Sequence, residues 1–109
     1  MLLNGGTYAG KRLLQPKTIQ YFTQSQEDSQ RGLGFNRKSG GLFGHSGFTG
    51  CVVWANPHTN FIFIFLSNSI HPKASNRRLK RYRIRKQVYE AVIAAQIRPL
   101  ETTHSMKFD

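Results

Sequence analysis

Acyl transfer by nucleophilic catalysis needs a nucleophile, a proton acceptor beside it, and donors aimed at the oxyanion that develops. In this 109-residue sequence none of the eight serines has a lysine three residues on, so the helical pairing of a serine with an amine is missing. What the chain can offer is the third requirement. It lies in the glycine-rich stretch Phe43-Gly44-His45-Ser46-Gly47-Phe48-Thr49-Gly50, where main-chain N–H groups can be presented to a ligand. Taken alone, His45-Ser46-Gly47 also suits an ordinary turn between strands with the imidazole exposed.

Other chemistries find less support. His45, His58, His71 and His104 never stand at helical i, i+4 spacing, and with the single Cys51 they form no metal-ligand pattern. His58 reads as a solvent-exposed turn residue. Cys51, in the apolar run Cys51-Val52-Val53-Trp54, reads as a small buried hydrophobe, and one cysteine excludes an internal disulfide. The formal charge of +11 invites a nucleic-acid partner, yet eight of the 16 basic residues fall between Lys73 and Lys86. That segment could track a phosphate backbone with Tyr82 stacked on a base. The simpler reading is the solvated side of a helix, because an apolar stripe continues beneath the charges. Nucleic acid is therefore the alternative rather than the expected partner.

The elements that position these residues follow from pattern. Leu2-Leu3-Asn4 before Gly5-Gly6 reads as the end of a helical turn, which makes Met1 look like an internal methionine. Pro16 opens a short helix to about Phe22, with Ile19 and Phe22 as its apolar edge. Thr23 to Arg31 is a polar loop, Gly32-Leu33-Gly34-Phe35 a short strand, and Asn36 to Gly41 a second loop. Three strands are expected over 42–47, 50–55 and 61–67, the last two joined by the turn Asn56-Pro57-His58-Thr59-Asn60. From about Ser75 to Gln96 the period becomes helical, with Ile84, Val88, Ala91, Val92 and Ala95 on one face. Pro99 ends that helix and 97–109 reads as a tail. The fold class is α+β: an antiparallel sheet of three to four strands with the C-terminal helix on one face.

In sequence order, Leu2 to Leu14, Pro16-Lys17-Thr18, Gly32-Leu33-Gly34-Phe35, His45-Ser46-Gly47 and the closing hairpin to Asn68 resemble the end of the serine β-lactamase-like family. That family includes class C β-lactamases, D-alanyl-D-alanine peptidases and related esterases. His45-Ser46-Gly47 matches its third motif, with histidine in the place more often held by lysine. The resemblance implies roles: His45 polarises or binds the substrate end, the Ser46 hydroxyl bonds a substrate carboxylate, Gly47 admits the acyl group, and the Phe48 N–H serves the oxyanion hole.

It further implies that residues 1–96 are the C-terminal part of such a domain, and that the family's Ser-x-x-Lys motif is missing here. The intact parent would act on an acyl or peptide-type substrate through an acyl-serine intermediate, with neither metal nor cofactor. Members usually work in the periplasm or cell envelope, whereas Met1-Leu2-Leu3-Asn4 does not read as an export signal. One further expectation comes from Phe61-Ile62-Phe63-Ile64-Phe65-Leu66, apolar on both faces of a strand. Such a strand calls for cover on both sides, either from the missing N-terminal portion of the domain or from a homo-oligomer.

Overall fold

The pleat of the strand around Phe63 decides which side of the sheet is filled. In the computed structural model, which describes residues 1–97 apart from Asp28 and Gln30, Phe63 is 6% exposed while its neighbours Ile62 and Ile64 are 53% and 61% exposed. Alternate side chains of a strand leave on opposite faces, so around β6 one face of this sheet is packed and the other open, although Phe43 and Ala55 are buried farther along that second face. The tail expected over 97–109 falls almost wholly outside the described residues.

The chain begins with a helical turn, Leu2–Asn4, closed by Gly5 in the left-handed conformation. A two-stranded ribbon follows, β1 (Thr7–Tyr8) paired antiparallel with β2 (Lys11–Arg12). Helix α1 (Pro16–Thr23) starts at the proline, as the fixed φ of a first-turn proline allows. Its end is tied to the sheet by the Arg37 guanidinium, which donates to the Thr23 carbonyl.

The main sheet has four antiparallel strands in sequence order: β3 (Asn36–Arg37), β4 (Phe43–Ser46), β5 (Val52–Asn56) and β6 (Phe61–Phe65). Four rungs join β4 to β5, from Phe43↔Ala55 to Ser46↔Val52. Five join β5 to β6, from Val52↔Phe65 to Asn56↔Phe61. Two short helices follow, α2 (Arg78–Arg81) and α3 (Ile84–Ile97). This is the expected α+β arrangement of an antiparallel sheet with a C-terminal helix.

Two local expectations are corrected. Gly32 to Phe35 is a chain reversal, and the strand comes after it, at Asn36–Arg37, inside the stretch read as a loop. Gly34 adopts φ 79, open to glycine, and the Gly32 N–H reaches the Phe35 carbonyl at 2.9 Å beneath an Arg31↔Asn36 bridge. The glycines thus turn the chain rather than extend it.

The helix expected over 75–96 is two helices. Arg83, at φ 51, breaks it, and the Arg83 N–H closes on the Lys80 carbonyl at 3.1 Å as α2 ends. Six basic residues from Arg77 to Arg85 repel one another along any continuous helix, which weakens the alternative to the break. The packed edge of α3 is also rotated from the expected stripe. Ile84, Tyr89, Val92 and Ile93 are half-buried, whereas Val88, Ala91 and Ala95 are exposed.

The core is small. Phe43, Val52, Ala55 and Phe63 are buried, Phe43 under Phe35 with ring centroids 5.3 Å apart, and Phe63 under Tyr89 at 5.2 Å, both edge-on. Helix α3 therefore meets the sheet through the Phe63–Tyr89 pair, on the face that also carries Trp54. Phe63→Ala is expected to cost about 3 to 5 kcal/mol, and Ile64→Ala one residue away under about 1 kcal/mol. Urea denaturation midpoints of the two variants check the contrast, and equal losses would mean that both faces of β6 are packed.

Candidate functional site

The loop joining β4 to β5 is a tight turn made by the sequence Gly47-Phe48-Thr49-Gly50. The Gly50 N–H bonds the Gly47 carbonyl at 3.0 Å, and the Gly47 N–H bonds the Cys51 carbonyl at 2.8 Å. Gly50 has φ 95, and a Cβ there would press on Leu79 and the hydroxyls of Ser67 and Ser69, so only glycine suits the position. The Thr49 carbonyl accepts three bonds, from the Ser69 N–H at 2.8 Å, the Ser69 hydroxyl at 2.9 Å and the Ser67 hydroxyl at 3.2 Å. The chain leaving β6 thereby clasps the loop, and the Arg85 guanidinium reaches the Gly50 carbonyl at 3.4 Å.

Around this turn the four candidate residues part company. His45 pairs with Val53 and shares its face of the sheet, the open one; its Nδ1 lies 2.9 Å from the Ser46 carbonyl. Ser46 pairs with Val52 and faces the other way, toward α2 and α3. The two side chains do not converge on one point. Gly47 closes the strand, and Phe48 is the most exposed of the large apolar residues, at 82%. Among the described residues no backbone carbonyl accepts from the Phe48 N–H, as expected at the second position of a turn.

Cys51 is half-buried rather than buried, and its sulfur is hydrogen-bonded instead of merely packed. The Ser67 N–H donates to Sγ at 3.3 Å, the Thr49 hydroxyl donates at 3.4 Å, and the thiol donates to the Ser67 carbonyl at 3.2 Å. Donors facing the sulfur favour the thiolate, so the Ser67 N–H first, and the Thr49 hydroxyl after it, hold the thiol below its ordinary range against the opposing effect of burial.

Behind Ser46, between the packed face of the sheet and helices α2 and α3, lies a cavity of about 390 Å³. Val52, Trp54, Phe63 and Tyr89 form its apolar lining, and Lys38, Lys80, Arg83, Arg85 and Lys86 its charged one. The basic segment is mostly solvated, as the pattern predicts: of its cations from Arg77 to Lys86 only Arg85 is half-buried, and Lys80, Arg83, Arg85 and Lys86 border the cavity where the helix breaks.

A family model described as Beta-lactamase matches residues 3–87, a span that holds β1 to β6, α2 and the His45-Ser46-Gly47 strand. The chain belongs to the β-lactamase family. Similar proteins named "Putative D-alanyl-D-alanine carboxypeptidase" occur in Salmonella paratyphi B, Salmonella newport and Salmonella heidelberg. Each is 31% identical over 91 residues, covering 70% of this chain and 21% of the relative. The chain thus spans about a fifth of the length of these curated relatives, consistent with a piece of a serine-hydrolase domain. Within this β-lactamase-family chain, the loop between β4 and β5 is held by side-chain hydrogen bonds that span 16 to 35 residues in sequence.

The thiol offers a pH test of that loop. A lowered pKa in the folded chain means that the Cys51 contribution to stability is present above the unfolded thiol's pKa and is lost as pH falls through the folded value. Alkylation by iodoacetamide, followed across pH, is expected to show its midpoint lower in the folded chain than in urea, with Thr49→Val moving it partly back. Coincident folded and unfolded midpoints would show that the donors do not act on the sulfur.

Proposed function

We propose that this chain supplies the third-motif segment of a serine hydrolase of the β-lactamase and D-alanyl-D-alanine peptidase type, and that it forms no acyl-enzyme by itself. The family match across the His45-Ser46-Gly47 strand carries the reading. In it, His45 polarises the substrate end, the Ser46 hydroxyl bonds a substrate carboxylate, Gly47 leaves room for the acyl group, and the Phe48 N–H contributes to the oxyanion hole. The nucleophile and its base belong to a Ser-x-x-Lys pair that this sequence does not contain. His45 lies on the open face of the sheet and Ser46 on the packed one, so in this reading a substrate meets both only at the end of β4, beside the Gly47 turn. The chain incubated with a penicillin or a fluorophosphonate probe is expected to keep its intact mass, and a stoichiometric adduct on any of its serines would overturn the proposal.

We also propose that the chain self-associates with a second copy through β6 or the open face beside it. Val53, Ile62, Ile64 and Leu66 stand on or beside that face at 45% exposure or more, and β6 is the last strand of the sheet with one edge unpaired. A second β6 running antiparallel would pair with the free edge, and the open faces of two copies packed together would bury Val53, Ile62 and Ile64 of both. The positive charge opposes association, so added salt strengthens it. Light scattering across a dilution series is expected to show a dimer or larger assembly that Ile64→Lys disperses without unfolding. A monodisperse, folded monomer at high concentration and moderate salt would refute it.

A further inference from the structure

The cavity behind Ser46 combines two properties that pull toward one kind of occupant. Its rim carries Lys38 from the segment before β4, Lys80 from α2, Arg83 from the break, and Arg85 and Lys86 from α3, and among the described residues no acidic one lines it. Among the described residues the sole ion pair is Lys86 with the exposed Glu90, at 3.3 Å, one helical turn along α3. Among the described residues the other four cations that line the hollow have no carboxylate in ion-pair range, and Arg85 donates to the Gly50 carbonyl. Like charges gathered around a concave space raise its potential and concentrate anions there.

The floor is aromatic. Phe63 and Tyr89 meet edge-on, and Trp54 lies beside them with the Lys38 ammonium 4.3 Å above its ring. Lys38 thus links the charged and aromatic parts, its ammonium seated on the Trp54 ring at one end of the floor. A bare inorganic ion would leave that floor wet, and a neutral ring would leave the cations unanswered. A volume of about 390 Å³ falls in the ordinary range for a single small-molecule site.

We propose that this cavity binds an amphipathic organic anion: an aromatic ring held against Tyr89 and the side of Trp54, bearing a phosphate or similar oxyanion that meets Lys80, Arg83 and Lys38. The cavity lies on the opposite face of the sheet from His45; Ser46 borders it, but none of the cations or rings that would hold the ligand has a role in acyl transfer, so the proposal goes beyond the hydrolase reading and stands or falls separately. Guanidinium and ammonium groups match phosphate oxygens as fork and point charge respectively, and the planar floor selects the ring.

Phenyl phosphate serves as the probe, with inorganic phosphate, benzyl alcohol and a single-stranded oligonucleotide as comparison arms, all titrated by calorimetry and by the fluorescence of Trp54, the chain's one tryptophan. Phenyl phosphate is expected to bind one to one, at least about ten-fold tighter than inorganic phosphate or benzyl alcohol, because both halves of the site are engaged. The double variant Lys80→Gln/Arg83→Gln, and separately Lys38→Gln from the opposite wall, are expected to weaken it about ten-fold with the circular dichroism of the folded chain retained. Lys17→Gln, which does not line the cavity, is expected to leave binding unchanged.

Three results would each overturn the proposal. Equal affinity for phenyl phosphate and inorganic phosphate would reduce the site to a diffuse cationic surface. Equal weakening by Lys17→Gln would trace binding to net charge. Tighter binding of the oligonucleotide, unaffected by Lys38→Gln, would assign the basic segment to nucleic acid.

Discussion

The five-rung ladder between β5 and β6 is the constraint on which the other contacts rest. Its register puts Val52, Trp54 and Phe63 on one face and Val53, Ile62 and Ile64 on the other, and a slip of one residue would exchange the two sets. With the register as it is, Phe63 sits where Tyr89 of α3 can cover it, Trp54 floors the cavity, and Val52 aligns the end of β4 so that Ser46 faces the same way. The open face, the cavity and the placement of His45 are all consequences of that one pairing. Few other contacts could set it, since the buried apolar side chains number only four among the described residues.

Much of the fold could be read from the order of residue types. Alternation in Phe61 to Leu66 and the turn at Asn56 to Asn60 gave the β5–β6 hairpin to within two residues at each end, because a period of two with a turn residue cluster has little else to become. The short helix at Pro16 was equally plain. Where the reading failed, a local rule met a competing one. Glycines at 32 and 34 permit a close-packed strand or a reversal, and only the Arg31↔Asn36 bridge, a contact between segments, selects the reversal. Apolar spacing from Ile84 onward predicts a helix but not its rotation. That rotation is fixed by which aromatic finds Phe63, and Tyr89 was outside the stripe of aliphatic residues used to draw the face.

The candidate site was legible to a different depth. The tripeptide and its glycines were identifiable by type, and the turn that follows them is where the pattern put it. That His45 and Ser46 face opposite sides also follows from strand geometry alone, but it acquires meaning only once the two sides are known to differ. The basic cavity had no comparable signal. Lys38 and Trp54 are 16 positions apart and Lys80 lies 42 beyond Lys38, so nothing in local sequence brings them together; the sheet and the kink at Arg83 do.

The clasp on the Thr49 carbonyl bears on the order in which the chain assembles. Its donors lie 18 and 20 residues downstream, so the clasp cannot close until the intervening strands have registered. Loop-closure entropy opposes contacts of that span until the hairpin between has shortened the effective distance. The turn at Gly47 to Gly50 is local and can form early, whereas its final fastening is a late event that reports completion of the ladder. Because Leu79 and Arg85 seat on the same loop, docking of the helices is coupled to that moment, and the packed side of the sheet matures as one cooperative step.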